Sequence, residues 1–243
     1  TRRPMRKGAR AALAPTPDVT AMFRKEAPAL TRLSHPVLVQ YRVQTQEPTL
    51  GCYYIVTGFI DGMSLSDAIG KVQPSAEELA ALTRRLAEGL KEAHDAGVIH
   101  RDISPDNVLL EGNRLDRARI IDFGIAKETD PGAQTIIGTG FAGKLSYVAP
   151  EQLGDFDKEI GPWSDIYSLG LVILALAQGR KADLGGLPVE AMNKRRAGVD
   201  TSGAPPALRP VLDRMLAADP AKRFRSMDEV IAALAGSGGG RHG

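Results

Sequence analysis

The chain has 243 residues, 43% of them hydrophobic and 25% charged, and a formal net charge of +2. This composition is ordinary for a folded globular protein, and the balanced charge gives no reason to expect a nucleic-acid partner. The single cysteine, Cys52, excludes an internal disulfide framework or a cysteine-based zinc site. No secretory signal is found, and the longest apolar stretch, at 169–177, is too short to span a bilayer. We therefore expect a cytoplasmic protein with no membrane segment in this chain.

The first part of the chain predicts a helix followed by an antiparallel hairpin. From Asp18 onward, apolar side chains recur on one helical face until the SHP sequence at 34–36. Two runs rich in β-branched and aromatic residues follow, VLVQYRV at 37–43 and GCYYIVTGF at 51–59, separated by a polar turn. The DGMS sequence at 61–64 predicts a turn, and the character of the chain changes there.

The remainder of the chain predicts mainly helices. Ser75 opens a long amphipathic helix that Gly97 closes. Two short strands, at 108–110 and 118–123, enclose a polar turn, and residues 124–150 have the few apolar positions of a long functional loop. Further helices are expected at 163–178, 188–197, 205–217 and 226–235.

This order of elements predicts an α+β fold in two unequal lobes. We expect residues 1–60 to form a truncated or degenerate N-lobe with one helix and antiparallel strands. Residues 61–235 should form a mainly helical C-lobe, and residues 236–243, GSGGGRHG, a flexible tail. A cleft between two lobes is a usual place for a ligand.

Four polar motifs occur in one order in the larger lobe. Each alone has an ordinary interpretation as a surface turn, but chance is a poor explanation of all four together. The motifs are HRDISPDN at 100–107, DFG at 122–124, APE at 149–151 and WSDIYSLG at 163–170. With them the chain resembles the protein kinase superfamily, in particular the eukaryotic-type (Hanks-type) serine/threonine kinases of bacteria, from about Phe23 to Leu234. The resemblance implies a two-lobed protein-kinase-like fold.

The resemblance also implies ATP and Mg²⁺ as cofactors and a phosphoryl-transfer reaction. Asp102 would accept or orient the proton of the substrate hydroxyl, and Asn107 and Asp122 would hold the magnesium, a hard cation that prefers oxygen ligands. The competing interpretation is three residues that cap turns. The implied acceptors are Ser and Thr hydroxyls of protein substrates, with possible self-phosphorylation at Thr129, Thr135, Thr139 and Ser146 of the long loop.

By the same resemblance, His100 and Phe123 belong to an apolar spine that aligns the lobes. Arg101 would reach into the 124–150 loop, where a phosphate could order that loop.

Three further residues would hold the larger lobe together. Asp165 would accept backbone hydrogen bonds from the catalytic loop, and Glu151 would form a buried ion pair with Arg223. The alternatives are a helix-start acid favoured by the helix dipole for Asp165 and a solvated cation for Arg223.

The small lobe resembles the family less specifically. FRKEA at 23–27 places the helix glutamate at Glu26, with a solvent-facing acid as the alternative, and counting back from it places the nucleotide lysine at Lys7. The residues around Lys7 lack the apolar alternation of a strand. The residues expected around the adenine are Thr57 as gatekeeper, the backbone of Gly58, Phe59 and Ile60 at its edge, and Leu109 beneath it.

The chain departs from the family pattern in two places. No Gly-rich phosphate loop precedes the expected lysine position. In addition, Ser104 stands where most such kinases have a lysine, and Lys144 stands where they have a threonine. We therefore expect the positive charge to be delivered from the other loop, with Ser104 and Lys144 both at the catalytic centre. In the alternative, Ser104 only caps a turn and Lys144 is an exposed loop residue.

Two other functions compete with a serine/threonine protein kinase. The absent Gly-rich loop favours a pseudokinase that acts as a binding or scaffold module, whereas the intact Asp102, Asn107 and Asp122 disfavour it. A small-molecule phosphotransferase on a related fold is the third possibility, and the APE segment argues against it.

Overall fold

The computed structural model of the chain describes residues 31–46, 53–123, 146–181, 184 and 188–237. Most of the expected first helix and most of the long loop lie outside these ranges. Within them, no helix has both the length and the apolar character needed to cross a membrane.

The hairpin of the small lobe is formed by β1 (Tyr41–Gln46) and β2 (Tyr53–Thr57). The two strands are antiparallel, with Tyr41 opposite Thr57. The expected hairpin is therefore confirmed, but its first strand does not begin at residue 37.

Residues 37–39 instead pack along the larger lobe. Val39 donates its N–H to the carbonyl of Ile120 at 2.9 Å, and Ile120 donates to Val37 at 2.7 Å. All three consecutive residues, including Leu38, are buried, which explains why the run lacks the in–out alternation of a half-exposed strand. This segment ties the hairpin to the sheet of the larger lobe.

That second sheet contains β3 (Gly62–Ser64), β4 (Val108–Glu111) and β5 (Ala118–Ile120), in this order and all antiparallel. The turn expected at 61–64 is wrong, because Gly62 begins a strand. A Cβ at Gly62 would stand 1.8 Å from the carbonyl oxygen of Leu110. The glycine therefore permits a close backbone approach, and in the sequence a glycine of this kind has the same appearance as a turn residue.

The long amphipathic helix follows the short helix α1 (Leu65–Ala68) and is α2 (Ala76–Asp95). Its start is fixed by a capping box. The Ser75 hydroxyl accepts the N–H of Glu78 at 3.2 Å, and the Glu78 carboxylate accepts the N–H of Ser75 at 2.8 Å. Gly97 follows the helix with a φ of 78°, a left-handed conformation that favours glycine.

The centre of the larger lobe is α3 (Pro162–Gln178), in which every residue from Ser164 to Leu176 is buried. A helix that is apolar on all sides belongs inside a core. The other helices are α4 (Pro188–Ala197), α5 (Arg209–Met215) and α6 (Met227–Ser237). The α5 helix is shorter than the expected 205–217, and α6 extends to Ser237, so the expected tail cannot begin at residue 236.

Candidate active site

The loop between α2 and β4 carries the HRD sequence, and the carboxylate of Asp165 in α3 binds the backbone of this loop. Its Oδ2 accepts the N–H of His100 and its Oδ1 accepts the N–H of Arg101, both at 2.8 Å. The expected backbone hydrogen bonds to Asp165 are thus confirmed.

His94, in the last turn of α2, is a further partner of Asp165 that the sequence did not reveal. Its Nε2 lies 2.8 Å from Oδ2 of the carboxylate, and both side chains are buried. Burial opposes ionisation of Asp165, but the hydrogen bond and charge of His94, helped by His100, hold the pKa of this carboxyl below its ordinary value. The loop therefore rests on an ionised carboxylate.

Arg101 has a left-handed backbone with a φ of 62°, which costs a residue other than glycine about 1 kcal/mol or more. Its conformation is held from both sides, since its N–H is bound to Asp165 and its carbonyl accepts the side-chain amide of Gln152 at 2.9 Å. Of the 124–150 loop that Arg101 was expected to reach, residues 124–145 lie outside the described residues.

Two hydrogen bonds link the backbone segments that carry Asp102, Asn107 and Asp122. The side-chain nitrogen of Asn107 donates to the carbonyl of Asp102 at 2.7 Å. The carbonyl of Asn107 accepts the N–H of Ile121 at 2.9 Å, and Asp122 follows directly. The loop and the strand end are therefore locked together at the position where the three polar side chains occur.

The donor groups present suit a magnesium ion. Because the amide nitrogen of Asn107 is committed to Asp102, its Oδ1 is the atom left for a cation. The side chain of Asp122 is exposed. In the described part of the chain, no group of three or more His, Cys, Asp or Glu residues is arranged for a metal ion. Two oxygen ligands are nevertheless enough for Mg²⁺ when substrate phosphates and water complete its coordination.

Ser104 is buried and precedes the short turn Pro105–Asn107, yet its side chain makes no capping hydrogen bond. The alternative in which Ser104 only caps this turn therefore has no support in the described geometry. Lys144 lies outside the described residues, so the expected exchange between Ser104 and Lys144 stays a prediction.

The expected adenine-contacting residues lie at the end of β2, between β2 and β3, and on β4. Thr57 is exposed at the end of β2, and Phe59 is 77% exposed. Gly58 donates its N–H to the carbonyl of Gln40 at 3.2 Å, which commits that donor to the protein. Ile60 and Leu109 are partly buried against the core. Lys7 and Glu26 lie outside the described residues.

The expected ion pair between Glu151 and Arg223 is confirmed. Arg223 Nη1 and Nη2 lie 2.8 and 3.0 Å from the two carboxylate oxygens of Glu151. The hydroxyl of Ser164 also donates to Glu151 at 2.7 Å. The pair therefore joins the APE segment to the start of α3 and to the turn before α6.

The expected spine contact is also present. The rings of His100 and Phe123 have centroids 4.5 Å apart, and Nε2 of His100 lies 3.0 Å from the carbonyl oxygen of Ile121.

A second buried arginine, Arg195 of α4, was missed by the sequence reading. Its Nε donates to the carbonyl of Val148 at 2.8 Å and its Nη1 to that of Ala191 at 3.0 Å. Burial lowers the pKa of this guanidinium from its ordinary value. The KRR sequence at 194–196 gave no signal, since such a run usually marks a solvated helix end.

Comparisons with known proteins agree with this geometry. The family model described as "Protein kinase domain" matches residues 13–233. The chain is 30% identical over 236 residues to a probable serine/threonine-protein kinase of Streptomyces coelicolor, covering 92% of this chain and 34% of that protein. It is 31% identical over 224 residues to the serine/threonine-protein kinase pkn2 of Myxococcus xanthus, covering 88% and 26%. It is 30% identical over 238 residues to PknB of Mycolicibacterium smegmatis, covering 93% and 37%.

A solved structure shows the same fold. Rad53 residues 1–466, crystallised with AMP-PNP, matches with a TM-score of 0.70 and 23% identity, covering 86% of this chain and 53% of that one.

The chain therefore belongs to the protein kinase domain family, with the two-lobed α+β fold of that family. The relatives named above are bacterial serine/threonine protein kinases, and the chain spans roughly a third of their length.

Proposed function

We propose that the protein transfers the γ-phosphate of ATP to Ser or Thr hydroxyls of protein substrates, with Mg²⁺ as cofactor. The observation that carries the proposal is the locked arrangement of Asp102, Asn107 and Asp122 on two hydrogen-bonded backbones. A cytoplasmic location goes with the proposal, because ATP is the phosphate donor.

Each polar residue has a distinct proposed role. Asp102 orients the acceptor hydroxyl and takes up its proton, while Asn107 Oδ1 and the Asp122 carboxylate hold Mg²⁺. The bound cation neutralises charge on the phosphate oxygens during transfer. Ser104 and Lys144 act beside Asp102, with Lys144 supplying the positive charge.

The nucleotide is proposed to lie between the two lobes. Its adenine contacts Thr57, the backbone of residues 58–60, including Gly58, Phe59 and Ile60, and the side chain of Leu109. The phosphates are contacted by Lys7, which pairs with Glu26. The N–H of Gly58 is already bound to Gln40, so the remaining backbone groups of this segment carry the polar recognition.

The substrate is proposed to be a protein, since the segment around Glu151 is anchored by a buried ion pair and is therefore a rigid platform. Self-phosphorylation is proposed at Thr129, Thr135, Thr139 and Ser146. A binding module without activity has no need of the three polar groups that the described site retains, which argues against that alternative.

The test compares two carboxylates of the same loop. Asp102→Asn should lower the phosphorylation rate of a Ser/Thr peptide by about 10²–10⁴-fold, the size expected when a positioned proton acceptor is lost. Asp106→Asn is the matched control, because Asp106 is an exposed carboxylate four residues away, and this variant should retain its rate. Equal rates for wild type and Asp102→Asn would refute the proposal.

A further inference from the structure

A hydrogen bond links the small-lobe hairpin to the DFG sequence. The hydroxyl of Tyr41, at the start of β1, accepts the backbone N–H of Phe123 at 3.1 Å across 82 positions of sequence. Both residues are 6% exposed. Their rings meet edge to face, with centroids 6.1 Å apart and planes at 68°. The contact is thus a buried polar bond set inside an aromatic packing arrangement.

The bond acts on the backbone that carries Asp122. Asp122 has a φ of 54°, in the left-handed region that residues other than glycine seldom occupy. Such a conformation persists only where its surroundings hold it. The residue before it is held by the bond from Ile121 to the carbonyl of Asn107, and the residue after it by Tyr41. Asp122 is therefore fixed between two hydrogen bonds.

The Tyr41 hydroxyl is suited to act as a fixed, uncharged hydrogen-bond acceptor. Burial raises the pKa of Tyr41 to about 12, against the opposing hydrogen bond from Phe123 and with a further increase from the charge of Asp122. The hydroxyl therefore stays neutral at ordinary pH and does not repel the neighbouring carboxylate.

The ring packing does not depend on the hydroxyl. Phe123 is also packed against His100, whose ring centroid lies 4.5 Å from its own. Removing only the oxygen of Tyr41 should leave these apolar contacts in place. The polar bond and the packing can thus be separated by experiment.

We propose that the Tyr41 hydroxyl is a positioning group that holds the Asp122 carboxylate in the orientation in which it binds Mg²⁺. This inference rests on the proposed function, since it assumes that Asp122 is a magnesium ligand. Tyr41 touches neither the nucleotide nor the reacting hydroxyl in this scheme, and its effect passes through the peptide group between Asp122 and Phe123.

The test uses Tyr41→Phe with two measurements. Hydrogen exchange of the Phe123 amide, followed without nucleotide, should accelerate about threefold to tenfold, the size of one neutral hydrogen bond. The Mg²⁺ concentration for half-maximal binding of ADP should rise by a similar factor, roughly threefold to tenfold. The turnover rate at saturating Mg²⁺ should stay within about twofold, because the displaced carboxylate is recovered by mass action.

Tyr167→Phe is the matched control. The hydroxyl of Tyr167 is also buried but has no hydrogen-bond partner among the described residues, and its removal should change neither measurement. If Tyr167→Phe changes both measurements as much as Tyr41→Phe does, the cause is a general destabilisation of the fold, and the inference is overturned.

The outcomes separate the inference from the proposed function. If wild type and Tyr41→Phe bind Mg²⁺ and ADP equally well while Asp122→Asn loses Mg²⁺ dependence, the proposed function stands and the positioning role of Tyr41 is refuted. Tighter Mg²⁺ binding or faster turnover in Tyr41→Phe would likewise refute it, since the bond would then be inhibitory. Wild type that shows no Mg²⁺-dependent nucleotide binding would overturn the proposed function and this inference together.

Discussion

Glu151 and Arg223 form a two-bond ion pair across 72 positions of sequence, and both side chains are completely inaccessible to solvent. The guanidinium also donates to the carbonyls of Ala217 and Ala218 and of Trp163. Such saturation of donors is what a buried charge needs, because each unsatisfied donor would add a desolvation cost. The pair therefore links distant segments of the larger lobe and stabilises it.

Breaking the ion pair between Glu151 and Arg223 should destabilise the whole domain. Glu151→Gln leaves the Arg223 guanidinium buried without its counter-charge, and we expect a loss of about 3–5 kcal/mol in the free energy of unfolding. Urea denaturation measures this value directly. Arg114→Gln is the control, because Arg114 pairs with Asp116 on the exposed surface, where solvent screening leaves an ion pair with little effect on stability. A loss in Glu151→Gln no larger than in the control would contradict the expectation.

The carboxyl of Asp165 should make the stability of the domain depend on acid pH. Its pKa is lower in the folded chain than the ordinary value, because the opposing effect of burial is outweighed by His94 and His100. A lowered folded pKa gives stability that is present above the unfolded pKa and is lost as the pH falls through the folded pKa. Asp165→Asn should therefore flatten the acid side of the stability curve.

This dependence is measured by urea unfolding from about pH 7 to about pH 2, a range that extends below the ordinary carboxyl pKa values. Asp116→Asn serves as a control, since Asp116 also has a lowered pKa but lies at the exposed surface beside Arg114. We expect a much smaller change of slope there. Parallel curves for wild type and Asp165→Asn would show that the Asp165 interpretation is wrong.

Arg195 should affect protein substrates more than the nucleotide. Its Nε supports the carbonyl of Val148, which directly precedes the Ala149–Glu151 sequence. Arg195→Lys keeps the charge but loses the forked donor geometry, and we expect the KM for a peptide substrate to rise about tenfold, the size of one bond from a charged donor. The KM for ATP should not change. Arg196→Lys is the control, because Arg196 lies on the exposed side of α4 and binds Asp155 instead. Equal increases in both KM values would contradict a role confined to the peptide platform.

Local signals predicted the helices well, since their causes lie within a few residues. The capping box at Ser75 and Glu78 and the apolar run of α3 are of this kind. The family resemblance also predicted the role of Asp165 and the ion pair between Glu151 and Arg223, because the sequence motifs assign these residues to known positions in the kinase fold.

The contacts that the sequence did not predict join distant positions through side chains with ordinary local roles. His94 reaches Asp165 across 71 positions, and Arg195 reaches Val148 across 47. Tyr41 looked like a strand aromatic, and Gly62 looked like a turn residue until its close approach to Leu110 was known. In each case the deciding fact is a tertiary neighbour, which neither periodicity nor composition encodes.

Exchanging the side chains of Ser104 and Lys144 should test whether the two residues share one role. Ser104 is buried within the catalytic loop and makes no capping hydrogen bond, so its local role does not explain its presence. If the Lys144 ammonium replaces the usual lysine, it approaches the Asp102 carboxylate, and the attraction of the two opposite charges is on the order of a few kcal/mol at an effective dielectric of about 20. Lys144→Ala should therefore slow phosphorylation by about 10²-fold or more, the cost of one transition-state charge contact.

The decisive variant exchanges the two side chains. Ser104→Lys alone should also slow the reaction, because two ammonium groups would compete for one site. Ser104→Lys combined with Lys144→Thr should recover much of the lost rate, since it rebuilds the common arrangement with the charge on the catalytic loop. Such recovery is a coupling that independent surface residues do not show. Kinetics of wild type, Ser104→Lys, Lys144→Thr and the double variant with one peptide substrate measure this coupling. Full activity of Lys144→Ala, or a double variant no better than the sum of its two single changes, would show that the two residues do not share one role.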